Sequence, residues 1–520
     1  MATQDGDGRN GAQSHQNTKD STASARQRSH SNDDLHYSTS FDGCRAEGPA
    51  RLNLEEVVRA ATCSIFAVRC DAPLLTWDTA ELNVLNRELR ALDDGFHFSP
   101  ILSANSAQRL PGYGLKQEDR VVSRIAFGSC ANQSAPQPIW TAISNFDPSL
   151  FIWLGDNIYA DAKLPVRFIG RKRTSGPFKN TPRFWPVSAE VMEQKYMIAK
   201  NKSGYEALRR TAQIIGTWDD HDYGLNDAGK ELSTKDVSQK LMLDFFDEPK
   251  DSPRYHRDPL GSNGAMLGET QWAWFEQELR KGDSQITIIA SSIQVVSNVS
   301  AVVQPFFHVE SWSNFPAEQE RLFKLIADNN VSGVIFLSGD VHFCEISRFD
   351  CGPVGYPIYD LTSSGLTQAV EELTNPLVAF VIRFAAWFVP NTMRVYNSQC
   401  RYKSCVYGKR NFGSIEIDWD ADPVMIKMSV RDIFGTTVSG TEVPLSILQP
   451  GALNTQPLQR GEVRRHCTLD VDLPWTRKYL LAYAFFGTSF VLTMSPFLLG
   501  YMTFKLLRAR RRREPNQKPD

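Results

Sequence analysis

Four apolar runs in this sequence stop abruptly at residues able to bind a cation or move a proton. VVSRIAFGSC ends on Cys130, and SLFIWLGDNIYAD carries Asp156 and Tyr159. AQIIGTWDDHDYG carries Asp219, Asp220, His221 and Asp222, and GVIFLSGDVHF carries Asp340 and His342. Thiolate, carboxylate, phenolate and imidazole together suit hard or borderline cations better than a purely organic mechanism. Six or seven converging anionic groups would repel one another strongly unless positive charge lay among them. A pair of metal ions neutralises them and can lower the pKa of a bound water enough to make a hydroxide nucleophile. Each cluster alone is ordinary, since Gly-Asp after a strand is usually a turn and a lone His is usually a satisfied polar group. Four of them, each directly behind an apolar run, form a pattern.

The elements that must position these groups are strands. Each run reads as a buried strand delivering its polar cluster at the carboxyl end. Helical patterns such as QWAWFEQELRK and PAEQERLFKLIADN lie between them. Strands alternating with helices predict an α/β domain with a substantially parallel core. Ligands in such sheets gather beyond the carboxyl ends of the strands.

The rest of the chain divides by composition. Residues 1–50 are polar with scarcely an aliphatic side chain and are expected to be disordered, with no apolar stretch of the kind a secretory signal needs. Residues 51–120 read as an ordered extension, with a buried strand at Thr62–Val68 and a helix in TAELNVLNRELRALDDG. The catalytic domain is placed at 121–445, followed by a linker over 446–478. From Tyr479 to Phe504 run 26 residues without a formal charge, long enough for a single transmembrane helix with tyrosines at both ends. A basic tail, 505–520, closes the chain. The helical stretch PLVAFVIRFAAWFVP, Pro376–Pro390, is too short to span. It reads as a buried helix, the alternative being a face that dips into the bilayer beside the site. With 57 basic and 59 acidic residues the formal net charge is −2, and nothing global points to nucleic acid. Of nine cysteines, the close pairs Cys344/Cys351 and Cys400/Cys405 are candidates for bridging.

The ordered series GSC, GDNIYAD, WDDHDYG, SSIQV and SGDVHF, with YDLTSSGLT and NFGSIEIDW after it, resembles the PhoD-like (alkaline phosphatase D-like) branch of the calcineurin-like metallophosphatases. The resemblance covers roughly Arg124 to Trp419. It implies a metallophosphatase-type β-sandwich flanked by helices. It also implies metal ligation by Cys130, Asp156 as the bridging group, Tyr159, Asp220, Asp340 and His342, with His221 as the catalytic residue. Ferric iron with calcium is the implied metal pair, and the Cys and Tyr ligands by themselves favour iron over magnesium. Two departures are visible: residues 51–120 lack the alternating strands of the immunoglobulin-like domain that often opens bacterial relatives, and their twin-arginine signal is not found.

The expected activity is hydrolysis of phosphomonoesters or phosphodiesters, a water bridging the metals attacking phosphorus while His221 serves the leaving oxygen. The substrate is expected to be a phosphate ester, lipid-linked if Pro376–Pro390 meets the bilayer. The reading from another class is a catalytically silent, membrane-tethered binding or scaffold protein on the same fold. Arg124 is a weak phosphate-clamp candidate because it lies at a strand start. For topology, Lys505, Arg508 and Arg510 to Arg513 follow the span against Arg477 and Lys478 before it. That asymmetry predicts a cytoplasmic tail and a lumenal or extracellular enzyme. The missing signal argues for the alternative, a tail-anchored enzyme in the cytosol.

Overall fold

The computed structural model describes residues 65–70, 121–163, 184–226, 232, 234–248, 266–281, 284–297, 299–303, 309–389, 391–452, 466–467 and 474–513. The helix expected within 79–95 lies outside them. Among the described residues the strands are β1 (Ile65–Cys70), β2 (Arg124–Gly128), β3 (Leu150–Leu154), β4 (Ala162–Lys163), β5 (Phe184–Trp185), β6 (Gln213–Thr217) and β7 (Ile286–Ser291). They continue with β8 (Val334–Ser338), β9 (Cys344–Phe349), β10 (Ile358–Ser363), β11 (Asn411–Asp418), β12 (Met425–Asp432) and β13 (Thr437–Pro444). One sheet runs β13-β12-β11-β2-β3-β6 and the other β1-β7-β8-β10-β9, with β4 and β5 as a separate small ribbon.

Each sheet contains three parallel strands. In the larger, β2-β3-β6 form one half, ending at its β6 edge, with β11, β12 and β13 antiparallel on the other side. In the smaller, β7-β8-β10 form the centre, with β1 and β9 antiparallel at its edges. The sequences explain this. LFIWL, ITIIAS and VIFLS are buried at every position, as parallel strands covered on both faces must be. Within β3 the side chains alternate between two cores. Leu150, Ile152 and Leu154 join Ile288, Phe336 and Leu361 between the sheets. Phe151 and Trp153 point the other way, into a layer with Trp140, Tyr205 and Phe245 from the helices Ile139–Phe146, Ser203–Arg209 and Lys235–Phe245. The helices Glu269–Arg280 and Pro316–Asp328 cover the other sheet with Trp272, Phe275, Leu322 and Phe323. The expected helix-flanked β-sandwich is therefore the observed fold, and β1, from the 51–120 extension, is one of its edge strands.

Two expectations are corrected. Cys351 is bonded to Cys467, not to Cys344, while Cys400 and Cys405 are bridged as expected. Cys344 opens the extended β9 and Cys351 lies beyond its end, about 20 Å away at the rise of a strand, far outside disulfide reach. Cys344 stays buried and free. Likewise, the helix Pro376–Phe388 is not a buried helix. Among its described side chains only Ala379 and Val381 are buried, and it lies against the C-terminal helix Trp475–Arg513 instead of under a sheet. That C-terminal helix is the one among the described residues long and apolar enough to cross a membrane, and only 6% of its most apolar window is buried. Arg124, on the exposed start of β2, is paired with Asp147 at the opposite end of the strand from the candidate site.

Candidate metal centre

The parallel strands all discharge at one end of the sandwich, and there the two sheets meet. Ser129, just after β2, forms a parallel bridge with Ser364, just after β10. This junction brings Cys130 and Asp156 from one sheet next to His342 from the other. The donor atoms of Cys130, Asp156 and His342 lie within 4.8 Å of one another, and so do those of Asp156, Asp220 and His221. Asp156 belongs to both groups.

The turns that present these residues are tight. Cys130 (φ 62°), Asp156 (φ 50°), Asp340 (φ 66°) and His342 (φ 60°) all occupy the left-handed region. A side chain there costs on the order of 1–3 kcal/mol unless its surroundings enforce it, and such strain collects at functional sites. The glycines of the motifs have a steric reason. Gly155 has φ +88°, and a Cβ on it would stand 2.6 Å from Asp219 Cβ. A Cβ on Gly339 would meet the Leu154 carbonyl and Ser129 Oγ, each at 2.6 Å. The strand ends approach too closely for any other residue.

Around the shared aspartate the groups are held from several sides. Tyr159 Oη lies 3.1 Å from His342 Nε2. Cys130 Sγ lies 3.0 Å from Ser364 Oγ, and the His342 backbone N–H donates to that same oxygen at 2.8 Å. His221 Nδ1 is 2.8 Å from Asp161 Oδ1, which leaves Nε2 as the nitrogen available for chemistry. The loop bearing Tyr159 and Asp161 is clamped by Lys195, whose Nζ donates to the carbonyls of Tyr159, Ala160 and Asp161 at 2.9, 2.9 and 3.0 Å.

Asp222 does a different job from its neighbours. Its carboxylate accepts the backbone N–H groups of Asn157, Ile158 and Asp219, each at 3.1 Å, and so fastens the β3 turn to the β6 turn. Asp219 caps the short helix Asp220–Tyr223. Asp340 falls outside both groups of three, yet its charge acts on Asp219 and it responds to Asp220 and Asp156.

The electrostatics are those of acids crowded out of water. Burial, partly offset by His221, pushes Asp156 up to about 8. Burial raises Asp222 to about 7 against the backbone donors that oppose it. Cys130, Tyr159, Asp219 and Asp340 are all pushed well above their usual ranges, by burial first and then by neighbouring negative groups, Asp156 among them in each case. For His221, burial opposes the charged form. The charges of Asp156 and Asp220, with the bond to Asp161, outweigh it and raise the imidazole to about 10.

A bound cation fits this donor set. Asp156 Oδ1 and Asp219 Oδ2 are buried with no hydrogen-bond partner, and a buried carboxylate oxygen so left is expensive unless a cation satisfies it. Positive charge would also reverse the upward shifts, since a metal deprotonates its ligands outright. Of the residues expected from sequence, Cys130, Asp156, Asp220, His221 and His342 converge directly, Tyr159 joins them through Asp156 and Cys130 as well as His342, and Asp340 is a charged neighbour. Reading by motif assigned nothing to Asp161 or Ser364, although both stand inside quoted motifs, or to Glu310, whose charge acts on Asp219 and Asp340. The SSIQV and YDLTSSGLT motifs brace the strand ends: Asp360 accepts the N–H groups of Val295 and Val296 at 2.8 and 2.9 Å.

Residues 241–424 match a family model described as PhoD-like phosphatase. Alkaline phosphatase D of Bacillus subtilis (strain 168) is 30% identical over 81 residues, 15% of this chain and only 14% of that protein's length. A solved structure described as "Structure of PhoD" superposes with a TM-score of 0.42 at 14% identity, covering 70% of this chain and 76% of that one. The family match contains Asp340 and His342, whereas Cys130, Asp156 and the 219–222 cluster lie outside it.

Proposed function

We propose that the chain is a PhoD-like phosphatase, a metal-dependent phosphoric ester hydrolase anchored in a membrane by its C-terminal helix, that cleaves phosphomonoesters, phosphodiesters or both. The observation that carries this reading is Asp156, shared by two donor groups and holding a buried oxygen without a protein partner. Cys130, Tyr159, Asp156 and His342 would hold ferric iron, while Asp220 and Asp340, all-oxygen donors, suit calcium beside it. Bound there, such a pair supplies Lewis-acid neutralisation of a phosphoryl group and activates water near neutral pH.

The chain's own residues do the rest. Asp161 fixes the His221 ring through Nδ1, and Nε2 is left to give a proton to the departing alkoxide. Lys195 keeps the Tyr159–Asp161 backbone in place. Asp222 holds the two turns in register.

The purified full-length chain, assayed in detergent against aryl phosphate mono- and diesters, should turn over and should carry iron and calcium. Thiolate or phenolate bound to ferric iron absorbs visible light, so the protein should be coloured, and Tyr159→Phe should weaken the band and lower iron content. A colourless, fully active enzyme holding only zinc or magnesium would remove the iron assignment. A well-folded chain with no turnover on either ester class would favour the binding or scaffold reading.

For topology, two features support a lumenal or extracellular enzyme with a cytoplasmic tail. Cations crowd the far end of the span, and the Cys351–Cys467 and Cys400–Cys405 disulfides belong to an oxidising compartment. In sealed microsomes the catalytic domain should resist protease until detergent is added. Digestion of that domain without detergent, the tail remaining protected, would establish the tail-anchored arrangement instead. The exposed aromatic face of Pro376–Phe388 favours a phosphate ester carried on lipid.

A further inference from the structure

The chemistry above makes no use of the helix Pro376–Phe388, yet it is built with care. Asn375 caps it by accepting the Val378 N–H at 2.9 Å, and Pro376 occupies its first turn. Leu377, Phe380, Phe384, Trp387 and Phe388 recur at intervals of three and four residues, so they form one stripe along the helix. The stripe is exposed, Phe380 at 60% and Trp387 at 53%. Its rings touch one another: Phe384 and Phe388 centroids are 4.7 Å apart, and Phe380 stacks on Phe384 at 6.3 Å. A contiguous aromatic patch of this kind on a protein surface marks an interaction site.

Three observations indicate its occupant. The helix packs directly on Trp475–Arg513, whose uncharged stretch 479–504 is itself mostly exposed, so whatever covers the stripe must be continuous with what covers that long helix. A bilayer does this, whereas a protein partner fitted to the short helix would leave the long one bare. Cations stand over aromatic rings beside the stripe and at the start of the long helix, Lys403 Nζ 5.8 Å from the Trp387 ring and Lys478 Nζ 5.9 Å from that of Trp475. That pairing suits the headgroup region, where amphipathic rings and basic side chains settle. Finally, the segment leading into the helix is part of the candidate site. Thr367 and Gln368 donate to the Cys130 carbonyl, each at 3.1 Å, Val370 donates to the His342 carbonyl at 2.8 Å, and Glu371 pairs with Arg383 on the helix itself.

We propose that the Leu377–Phe388 stripe is seated in the lipid bilayer and, through residues 367–371, holds the metal-binding groups at the membrane surface, facing phosphate esters borne on lipid. This rests on the reading of Trp475–Arg513 as a membrane span, and deepens the lipid-borne substrate. The full-length chain, reconstituted into vesicles of phosphatidylcholine and phosphatidylserine, carries a photoreactive benzoyl-phenylalanine in place of Phe380, Phe384, Phe434 or Phe490, one at a time. Phe490 lies within the long helix, and Phe434, 82% exposed in the turn between β12 and β13, reports the aqueous surface. On illumination, lipid adducts should form at 380, 384 and 490 and not at 434. Adducts at 490 but at neither 380 nor 384 would overturn the seating while leaving the span intact. A cross-linked dimer at 384 without lipid adducts would overturn it in favour of a second copy. Failure at all of 380, 384 and 490 would remove the membrane reading and the seating with it.

Discussion

Asp156→Asn should abolish turnover and should release iron and calcium together. A carboxylate shared between two donor groups cannot be replaced by an amide, which offers one neutral oxygen where two anionic ones served. The two metal contents, measured by mass spectrometry on the same preparation as the rate, should therefore fall in parallel. Substitution at Asp220 should instead spare most of the iron, because Asp220 belongs to only one of the two groups. The fold should survive Asp156→Asn, since Asp156 contributes strain and a raised acid to the native state, and an amide oxygen can still accept from Tyr159. Normal metal content with full activity would end the dinuclear reading.

His221→Ala should lower the rate by about 10²- to 10⁴-fold, the scale of general acid catalysis, or about 3–5 kcal/mol of barrier. The loss should be smallest for aryl esters with good leaving groups, which need little protonation, and largest for alkyl esters. Asp161→Asn should reproduce part of the same dependence on the leaving group, because it loosens the ring without removing it. Metal content separates this role from the other one the geometry allows. His221 also lies in the Asp156–Asp220 donor group, so loss of calcium in His221→Ala, with equal loss on good and poor leaving groups, would make it a ligand and not an acid.

Why these residues could be picked out from sequence is plain from the strands that bear them. β2, β3, β6 and β8 are apolar runs buried at nearly every position, and a parallel strand covered on both faces announces itself without knowledge of its neighbours. The polar residue that stops such a run is forced to the sheet edge where ligands collect. Even the glycines of GDN and GDV follow from that, since they lie where strand ends crowd. The long helix was equally legible, because 26 uncharged residues need no partner to declare themselves.

Tertiary structure alone decided which groups touch. Asp161 reaches His221 across 60 residues, and Ser364 reaches Cys130 across 234, and no local period records either contact. Asp219, Asp220 and Asp222 look interchangeable in WDDHDYG, yet backbone N–H groups from two turns occupy Asp222 while Asp219 keeps a buried oxygen unpartnered. The disulfide partner of Cys351 was hidden for the same reason: nearness in sequence across an extended strand is distance in space, while Cys467 returns from 116 residues away. The stripe on Pro376–Phe388 shows the limit most clearly. Composition says that its residues must leave water, but a helix apolar on most sides can do so under a sheet or in a bilayer. Its packing against the exposed C-terminal helix is a fact of the fold that the segment does not contain.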